Sequence, residues 1–203
     1  MTPATAPLGL AGLALLVAFG APMAAAQAAA DTKTFESEKF RYSVALPAGC
    51  RHEEGPGTLD AVCSPELDPE KSAAMSMAAG LILEVGVETV PDDASKAPAD
   101  LAQRYTETQF KEELAEAICG TPDKVKIANS KQVLEDARVV YTAEIACPEI
   151  KFLGLGERRA SVQFLITPGL RYRLMARALK DDYEQHKEAI DAFFASFRIL
   201  PRG

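Results

Sequence analysis

The chain has 203 residues, a formal net charge of −7 at pH 7 and no tryptophan. A chain of this length suits one domain with one hydrophobic core. Because the charge is acidic and no basic tail is present, bulk electrostatics argue against nucleic acid as a partner.

The start of the chain has the pattern of a signal peptide. Residues 8–20 form a continuous apolar run, Pro22 ends it, and small residues at 24–26 and 26–28 provide two alternative cleavage sites. No Lys or Arg precedes the run, so an uncleaved anchor is the alternative interpretation. We expect the segment 1–28 to be removed.

The mature chain is then 29–203, a single domain in the periplasm or outside the cell. Residues 1–30 contain no Asp, Glu, Lys or Arg, so the mature chain keeps the full net charge of −7. No later stretch is long and apolar enough to span a membrane. If the leader is retained, the protein is instead a membrane-tethered envelope assembly factor.

All four cysteines follow the leader: Cys50, Cys63, Cys119 and Cys147. An even number of cysteines in an oxidising compartment predicts two disulfides. We favour Cys50–Cys63 and Cys119–Cys147, because each pair joins neighbouring predicted elements. A zinc site is the alternative, but the chain has no Cys-x-x-Cys spacing and its two histidines are far apart. We expect neither a metal nor a cofactor.

Period-two alternation predicts three strands in the first half, at 40–46, 58–64 and 81–90. The polar, Gly- and Pro-rich segment 52–58 is predicted to be a loop, and 65–76 is predicted to be a loop or a frayed turn of helix. Pro91 ends the third strand.

A helix is predicted from Pro98, which suits the first turn, to about Cys119, where a glycine follows as a stop. Its apolar stripe is imperfect, because Leu101 and Tyr105 lie nearly opposite Phe110 on a helical projection. We therefore expect a kink or a late start in this helix.

Four further strands follow without a helix between them, at 124–133, 138–147, 159–167 and 170–178. A closing helix at 182–196 carries an aromatic stripe that includes Phe193 and Phe194 and continues to Phe197, with Asp181 as its N-cap. The order β-β-β-α-β-β-β-β-α predicts an α+β domain, in which an antiparallel sheet of about seven strands is packed by two long helices.

Two stretches resemble the PsbP-like fold family. One is Phe40-Arg-Tyr-Ser-Val-Ala-Leu-Pro-Ala-Gly49, an alternating strand that leads into Pro-x-Gly; the other is the end of the chain, where Asp-Asp-Tyr opens a helix that closes on Ser196-Phe-Arg-Ile199. The family includes the photosystem II extrinsic subunit, Mog-type Ran-binding proteins and exported bacterial proteins. The resemblance implies an accessory or binding role rather than a catalytic one. It assigns no functional residue, and the cysteines are an addition to its pattern.

The last two strands supply the candidate binding residues. If Ile166 and Leu170 flank the turn between them, the apolar residues of both strands share one face, and the basic residues share the other. These basic residues are Arg159, Arg171, Arg173 and Arg177. Such a cluster on an acidic protein is a candidate site for a carboxylate, a phosphate or an acidic partner. The alternative is a solvated face on which these arginines pair with Glu84, Glu88 or Glu144.

Two histidines are candidate catalytic residues. His52 follows Cys50 and precedes two glutamates, a grouping that suits either a thiol or metal site or an exposed loop beside a disulfide, and we favour the loop. His186 lies near Asp182, but the chain has no Gly-x-Ser-x-Gly nucleophile motif. We expect no catalytic residue. A small periplasmic hydrolase or thiol enzyme that uses His52 or His186 is the alternative.

The sequence thus predicts an exported, non-catalytic accessory or binding protein of the cell envelope. Its partner is expected to be an envelope protein or a small anionic ligand, neither of which the sequence identifies.

Overall fold

The computed structural model describes residues 32–63, 80–114, 118–119, 125–135, 138–148 and 156–201. Within these ranges the strands are β1 (Thr32–Ser37), β2 (Tyr42–Pro47), β3 (Arg51–Gly55), β4 (Thr58–Cys63), β5 (Leu81–Thr89), β6 (Lys126–Glu135), β7 (Arg138–Cys147), β8 (Arg158–Thr167), β9 (Leu170–Leu179) and β10 (Arg198–Ile199). The α-helices are α1 (Pro98–Arg104), α2 (Glu107–Leu114), α3 (Lys180–Gln185) and α4 (Lys187–Ser196), and Pro91–Asp93 forms a turn of 3-10 helix.

The strands form two antiparallel sheets. The large sheet has seven strands in the order β3-β4-β5-β9-β8-β7-β6, and a small sheet has the order β1-β2-β10. Neighbouring strands pair antiparallel throughout. The prediction of an α+β domain built on an antiparallel sheet of about seven strands is confirmed.

Both faces of the large sheet are covered. On one side, which we call the α4 face, α3, α4 and β2 bury aromatic side chains that include Tyr172, Phe193 and Phe197. On the other side, the α2 face, α1 and α2 cover a second core that includes Phe110 and Phe164. Burial of each such side chain contributes about 1.5–3 kcal/mol. The sheet is therefore the middle layer of three.

The turn between β8 and β9 sets a register that differs from the predicted one. Thr167 lies opposite Leu170, and Pro168 and Gly169 alone form the turn. Gly169 has φ +84°, the positive value that the second central position of a type II turn requires after a proline. The predicted pairing of Ile166 with Leu170 is therefore wrong by one residue.

This one-residue difference moves a whole set of side chains to the other face, because successive side chains in a strand point to opposite sides. Phe164 is opposite Arg173 on the α2 face, and Leu165 is opposite Tyr172 on the α4 face. The apolar residues predicted to share one face are thus divided between two cores. Both sets are buried because each face has its own helices.

Three strands occur where none was predicted, and one of them is the two-residue β10, which pairs with β2. β1 pairs with β2 in the lead-in to the first predicted strand. β3 lies within the predicted loop 52–58 and pairs with β4 through a second Pro-Gly turn, in which Gly57 has φ +85°. All five residues of β3 are exposed, so no apolar alternation marks it as a strand. The predicted loop 65–76 lies outside the described residues.

Both long helices of the prediction are divided. The first breaks at Tyr105, whose backbone is extended (φ −98°, ψ 90°), and resumes after Thr106. The last begins at Lys180 rather than after an Asp181 N-cap, and His186 separates its two parts. The N-cap prediction is wrong, because Leu179 precedes the helix and makes no side-chain cap.

Both predicted disulfides are confirmed. Cys50–Cys63 closes the β3–β4 hairpin, and Cys119–Cys147 joins the segment after α2 to the end of β7. Among the described residues, no helix combines the length and the apolar character needed to cross a bilayer. The predicted signal peptide lies outside the described residues.

Candidate functional site

The four predicted binding arginines do not share one face. Arg171, Arg173 and Arg177 lie on the α2 face, opposite Ile166, Phe164 and Ala160 of β8, whose side chains pack in the α2-face core or line it. Arg159 lies opposite Ala178, a residue of the α4-face core. The predicted common face is wrong for Arg159, because the register of the β8–β9 turn places this residue on the α4 face.

Arg171 is fully engaged by carboxylates. Its Nε and Nη2 atoms donate to Glu88 at 2.9 and 2.5 Å, and Nη1 donates to Glu113 of α2 at 2.8 Å. Its guanidinium also lies 5.6 Å from the centre of the Phe164 ring. Burial opposes its charge, but the two carboxylates outweigh burial and raise the pKa of Arg171.

Arg173 is compensated in the same way. Its Nη2 donates to Glu84, a carboxylate that is only 8% exposed. The Arg173 side chain lies over Gly86, where an added Cβ would be 3.6 Å from it. The alternative interpretation of this face is therefore confirmed for Glu84 and Glu88. It is wrong for Glu144, which accepts a 2.7 Å hydrogen bond from Asn129 instead.

Arg177 differs from these two arginines. The residue opposite it on β5 is Ile82, not an acid. Its diagonal neighbour on β8 is Arg158, which lies opposite Leu179. No described carboxylate forms an ion pair with Arg158 or Arg177. Their buried Nε atoms make no hydrogen bond within the described part of the chain, a state that they share with the Nε atoms of Arg159 and Arg173.

These two arginines line a small cavity that we call the Arg158–Arg177 pocket. Its volume is about 50 Å³, and its other walls include Gly80, Ile82, Ile118 and Ala178. Arg159 also contributes to the wall, but its guanidinium donates to Glu157 at 2.7 Å. Because Cys147 lies opposite Arg158 on β7, the Cys119–Cys147 disulfide anchors this end of the sheet.

A wider groove lies on the α4 face beside α3 and α4. It consists of two cavities of about 450 and 490 Å³ that share Glu144 and Lys187 as lining residues. Lys187 pairs with Asp191 at 2.5 Å, and the hydroxyls of Ser161 and Tyr183 are 2.5 Å apart. These polar groups already satisfy one another, so the groove has the character of an open surface.

Neither histidine has a nucleophile beside it among the residues that the structure describes. His52 is exposed on β3 with its ring centre 6.0 Å from that of Phe35, and the neighbouring Cys50 is held in a disulfide. His186 faces a cavity of about 290 Å³ lined by Pro47, Ala48, Gly49, Cys63, Leu81 and Ala189. That lining offers no hydroxyl, carboxylate or free thiol.

Arg158 was missed by sequence reasoning. The predicted register put the odd-numbered residues of β8 beside the arginines of β9, which selected Arg159. The signal that could have found Arg158 is Pro168-Gly169, because this dipeptide suits a two-residue turn.

No family model and no curated protein matches the sequence. Solved structures do match. The cyanobacterial PsbP protein CyanoP of Synechocystis superposes with a TM-score of 0.55 at 17% identity, over 96% of this chain and 100% of that one. The chain has the PsbP-like fold. This confirms the resemblance noted in the sequence.

Two other structures share the PsbP-like fold with this chain. LpqN, described as involved in cell envelope biogenesis of Mycobacterium tuberculosis, has a TM-score of 0.55 and 11% identity over 84% of this chain and 91% of that one. The Ran-binding protein Mog1p of Saccharomyces cerevisiae has a TM-score of 0.51 and 14% identity over 84% of this chain and 96% of that one. At such identities the likeness shows the PsbP-like fold alone.

Proposed function

We propose that this protein is an exported, non-catalytic accessory or binding protein of the cell envelope. It captures its partner, an envelope protein or a small anionic ligand, through the α2 face of its sheet. One observation carries the proposal: Arg158 and Arg177 are adjacent guanidiniums without a described carboxylate, on an acidic chain whose Arg171 and Arg173 are both compensated.

Export is supported by the signal-peptide pattern of residues 1–28 and by the two disulfides, which persist in oxidising compartments. The location proposed is the periplasm or the exterior of the cell. A likeness in fold to an envelope-biogenesis protein and to a Ran-binding protein agrees with a role in binding. Amino-terminal sequencing of protein from the producing cell distinguishes the exported form from a tethered one.

The absence of catalysis is supported by the surroundings of His52 and His186. A general base needs a nucleophile or a proton donor within hydrogen-bonding reach. The apolar cleft at His186 and the exposed strand at His52 provide neither among the described residues.

The test is affinity capture from the envelope fraction of the producing cell, with identification by mass spectrometry. Wild-type protein is compared with the double variant Arg158→Met, Arg177→Met, which keeps the aliphatic bulk and removes both charges. Lys187→Met is the matched control, because it removes one cation from the α4 face, where Lys187 pairs with Asp191 outside the pocket. We expect the double variant to lose the captured partner and the control to retain it. Equal recovery by all three proteins contradicts the proposal.

A further inference from the structure

The acidic residues that compensate the α2 face stop short of Arg177. Along β5, Glu88 lies opposite Arg171 and Gly86 lies opposite Arg173, and Glu84, two steps beyond Glu88 on the same face, bonds Arg173 diagonally. The next residue of β5 on this face is Ile82, directly opposite Arg177. The charge ladder therefore ends at a cation that pairs with no described carboxylate. Its diagonal neighbour on β8 is a second one.

Among the described residues, the pocket guanidiniums that pair with no carboxylate are those of Arg158 and Arg177. Their backbones lie at paired positions of β8 and β9, where N–H groups take part in the ladder, and the Gly80 N–H of the pocket wall donates to Asp182 at 3.4 Å. Phosphate sites ordinarily add backbone N–H groups from a helix N-terminus or a turn. A guanidinium is a planar fork whose geometry matches a planar carboxylate through two parallel hydrogen bonds. Two such forks, whose own backbones are bonded in the sheet, favour a carboxylate over a phosphate.

The size and the walls of the pocket restrict the part of the ligand to which the carboxylate is attached. A volume of about 50 Å³ holds only a few water-sized groups, so an end group enters and the rest of the ligand stays outside. Ile82, Ile118 and Ala178 beside the arginines are aliphatic. They provide contact for methylene carbons next to the anionic group and offer no polar partner.

We propose that the Arg158–Arg177 pocket binds a carboxylate carried on an aliphatic stem. The stem belongs to a small organic acid, or to an acidic side chain or C-terminus of a partner. This inference rests on the proposed function in one respect, that the α2 face binds an anion.

The experiment follows the arginine Nε–H signals of the mature protein, purified with its disulfides intact, by heteronuclear NMR. The probes are hexanoate, hexanol, inorganic phosphate and a short peptide with a free C-terminal carboxylate, all at matched ionic strength. We expect hexanoate to shift the Arg158 and Arg177 signals saturably, hexanol to shift neither, and phosphate to bind more weakly than hexanoate. Tighter binding of the peptide identifies a protein source for the carboxylate, and tighter binding of hexanoate identifies a small acid.

Two further variants test the planar geometry of the guanidinium groups rather than their charge. Arg158→Lys with Arg177→Lys keeps both cations but loses the planar geometry, and we expect hexanoate binding to weaken at least about tenfold. Arg171→Lys is the control and leaves hexanoate binding unchanged, because Arg171 is held by Glu88 and Glu113. A matching unfolding midpoint shows that each variant is folded.

The inference is overturned if no probe gives a saturable shift, if phosphate binds more tightly than hexanoate, or if the lysine variant binds as wild type does. Those outcomes are separable from failure of the proposed function. If the methionine variant loses envelope capture but the wild-type protein binds no carboxylate probe, this inference fails and the proposed function stands. If the wild-type protein binds the carboxylate probe but the methionine variant captures the envelope partner as wild type does, the proposed function fails and this inference stands.

Discussion

The hydroxyl of Tyr105 donates a 2.6 Å hydrogen bond to the carboxylate of Asp93, a side chain with no exposed surface. Arg104 donates to the other carboxylate oxygen at 2.7 Å, and Lys96 is 3.6 Å from it. The buried carboxylate of Asp93 lies in the 3-10 turn before α1. It accepts hydrogen bonds from Arg104 and Tyr105, the residues at which the predicted helix 98–119 breaks. It explains why the chain stops being helical at Tyr105.

Replacement of Asp93 by Ala is therefore expected to destabilise the protein. It removes a charged acceptor and leaves the Tyr105 hydroxyl and Arg104 without it, at a cost of about 1.5–3 kcal/mol in the free energy of unfolding. Asp92→Ala is the matched control, since Asp92 is exposed, and should change stability by less than about 0.5 kcal/mol. Urea denaturation measures both. Similar effects of the two substitutions would show that the Asp93 network does not stabilise the fold.

Alkaline pH should weaken the same network. Burial, followed by the hydrogen bond and charge of Asp93, raises the pKa of Tyr105 from 10.0 to about 12. The folded state then keeps a proton that the unfolded state releases, so this stabilisation is complete below pH about 10 and is lost as pH rises to about 12. We expect Tyr105→Phe to reduce the fall in unfolding free energy over that interval. An unchanged pH dependence in the variant would argue against this assignment.

Loss of either disulfide should cost stability through the unfolded chain. The paired cysteines are 13 residues apart in Cys50–Cys63 and 28 apart in Cys119–Cys147. Chain entropy then gives about 3 kcal/mol for the shorter loop and about 3.5 kcal/mol for the longer one. Paired Cys→Ala variants, compared by denaturant unfolding, measure each value. Retention of wild-type stability by either variant would mean that its disulfide constrains little.

The β8–β9 turn can be tested at its glycine. Gly169 has φ +84°, and an added Cβ would lie 3.4 Å from the Cβ of Ala94. We expect Gly169→Ala to cost about 1–2 kcal/mol, because a side chain disfavours this left-handed backbone. Gly156→Ala is the control, since its nearest contact would be an ordinary 3.9 Å to Leu179. Equal stability of the two variants would contradict the turn geometry and the register that depends on it.

Phe197 tests the core on the α4 face. Its ring stacks on Tyr42 at 5.5 Å between centres and meets Tyr172 edge-on at 5.6 Å, and the residue is 6% exposed. Truncation to Ala should cost about 3–5 kcal/mol by leaving a cavity among aromatic rings. Phe194→Ala is the comparison, because Phe194 is only partly buried, and should cost less. A smaller loss at Phe197 than at Phe194 would show that this cluster does not anchor the C-terminal helices.

The local sequence pattern was sufficient to predict those features that depend on a single secondary-structure element. Alternation in segments such as 138–147 predicted strands that the structure has, since a strand with a buried face repeats every two residues. The pairing of the cysteines followed because each pair joins neighbouring elements. β3 was not predicted because all its residues are exposed, so that no apolar alternation marks it as a strand.

The candidate site was harder to predict, because it depends on two strands at once. Arg177 shares a face with Arg171 and Arg173 as predicted, but the arginine of β8 on that face is Arg158 and not Arg159. A register error of one residue exchanges the faces of every side chain on a strand. Hydrophobic pattern could not reveal the error, because both faces of β8 are buried at their centre and each choice of face looked apolar.

The sequence by itself determined that this chain builds an antiparallel α+β domain, with two disulfides and with strands where apolar residues alternate. These features follow from short-range periodicity and from cysteine number. Only the tertiary structure decided which face each arginine occupies and which arginines find a carboxylate. Those outcomes depend on the pairing register and on residues as distant in sequence as Glu84 and Arg173, and no local pattern encodes a distance between them.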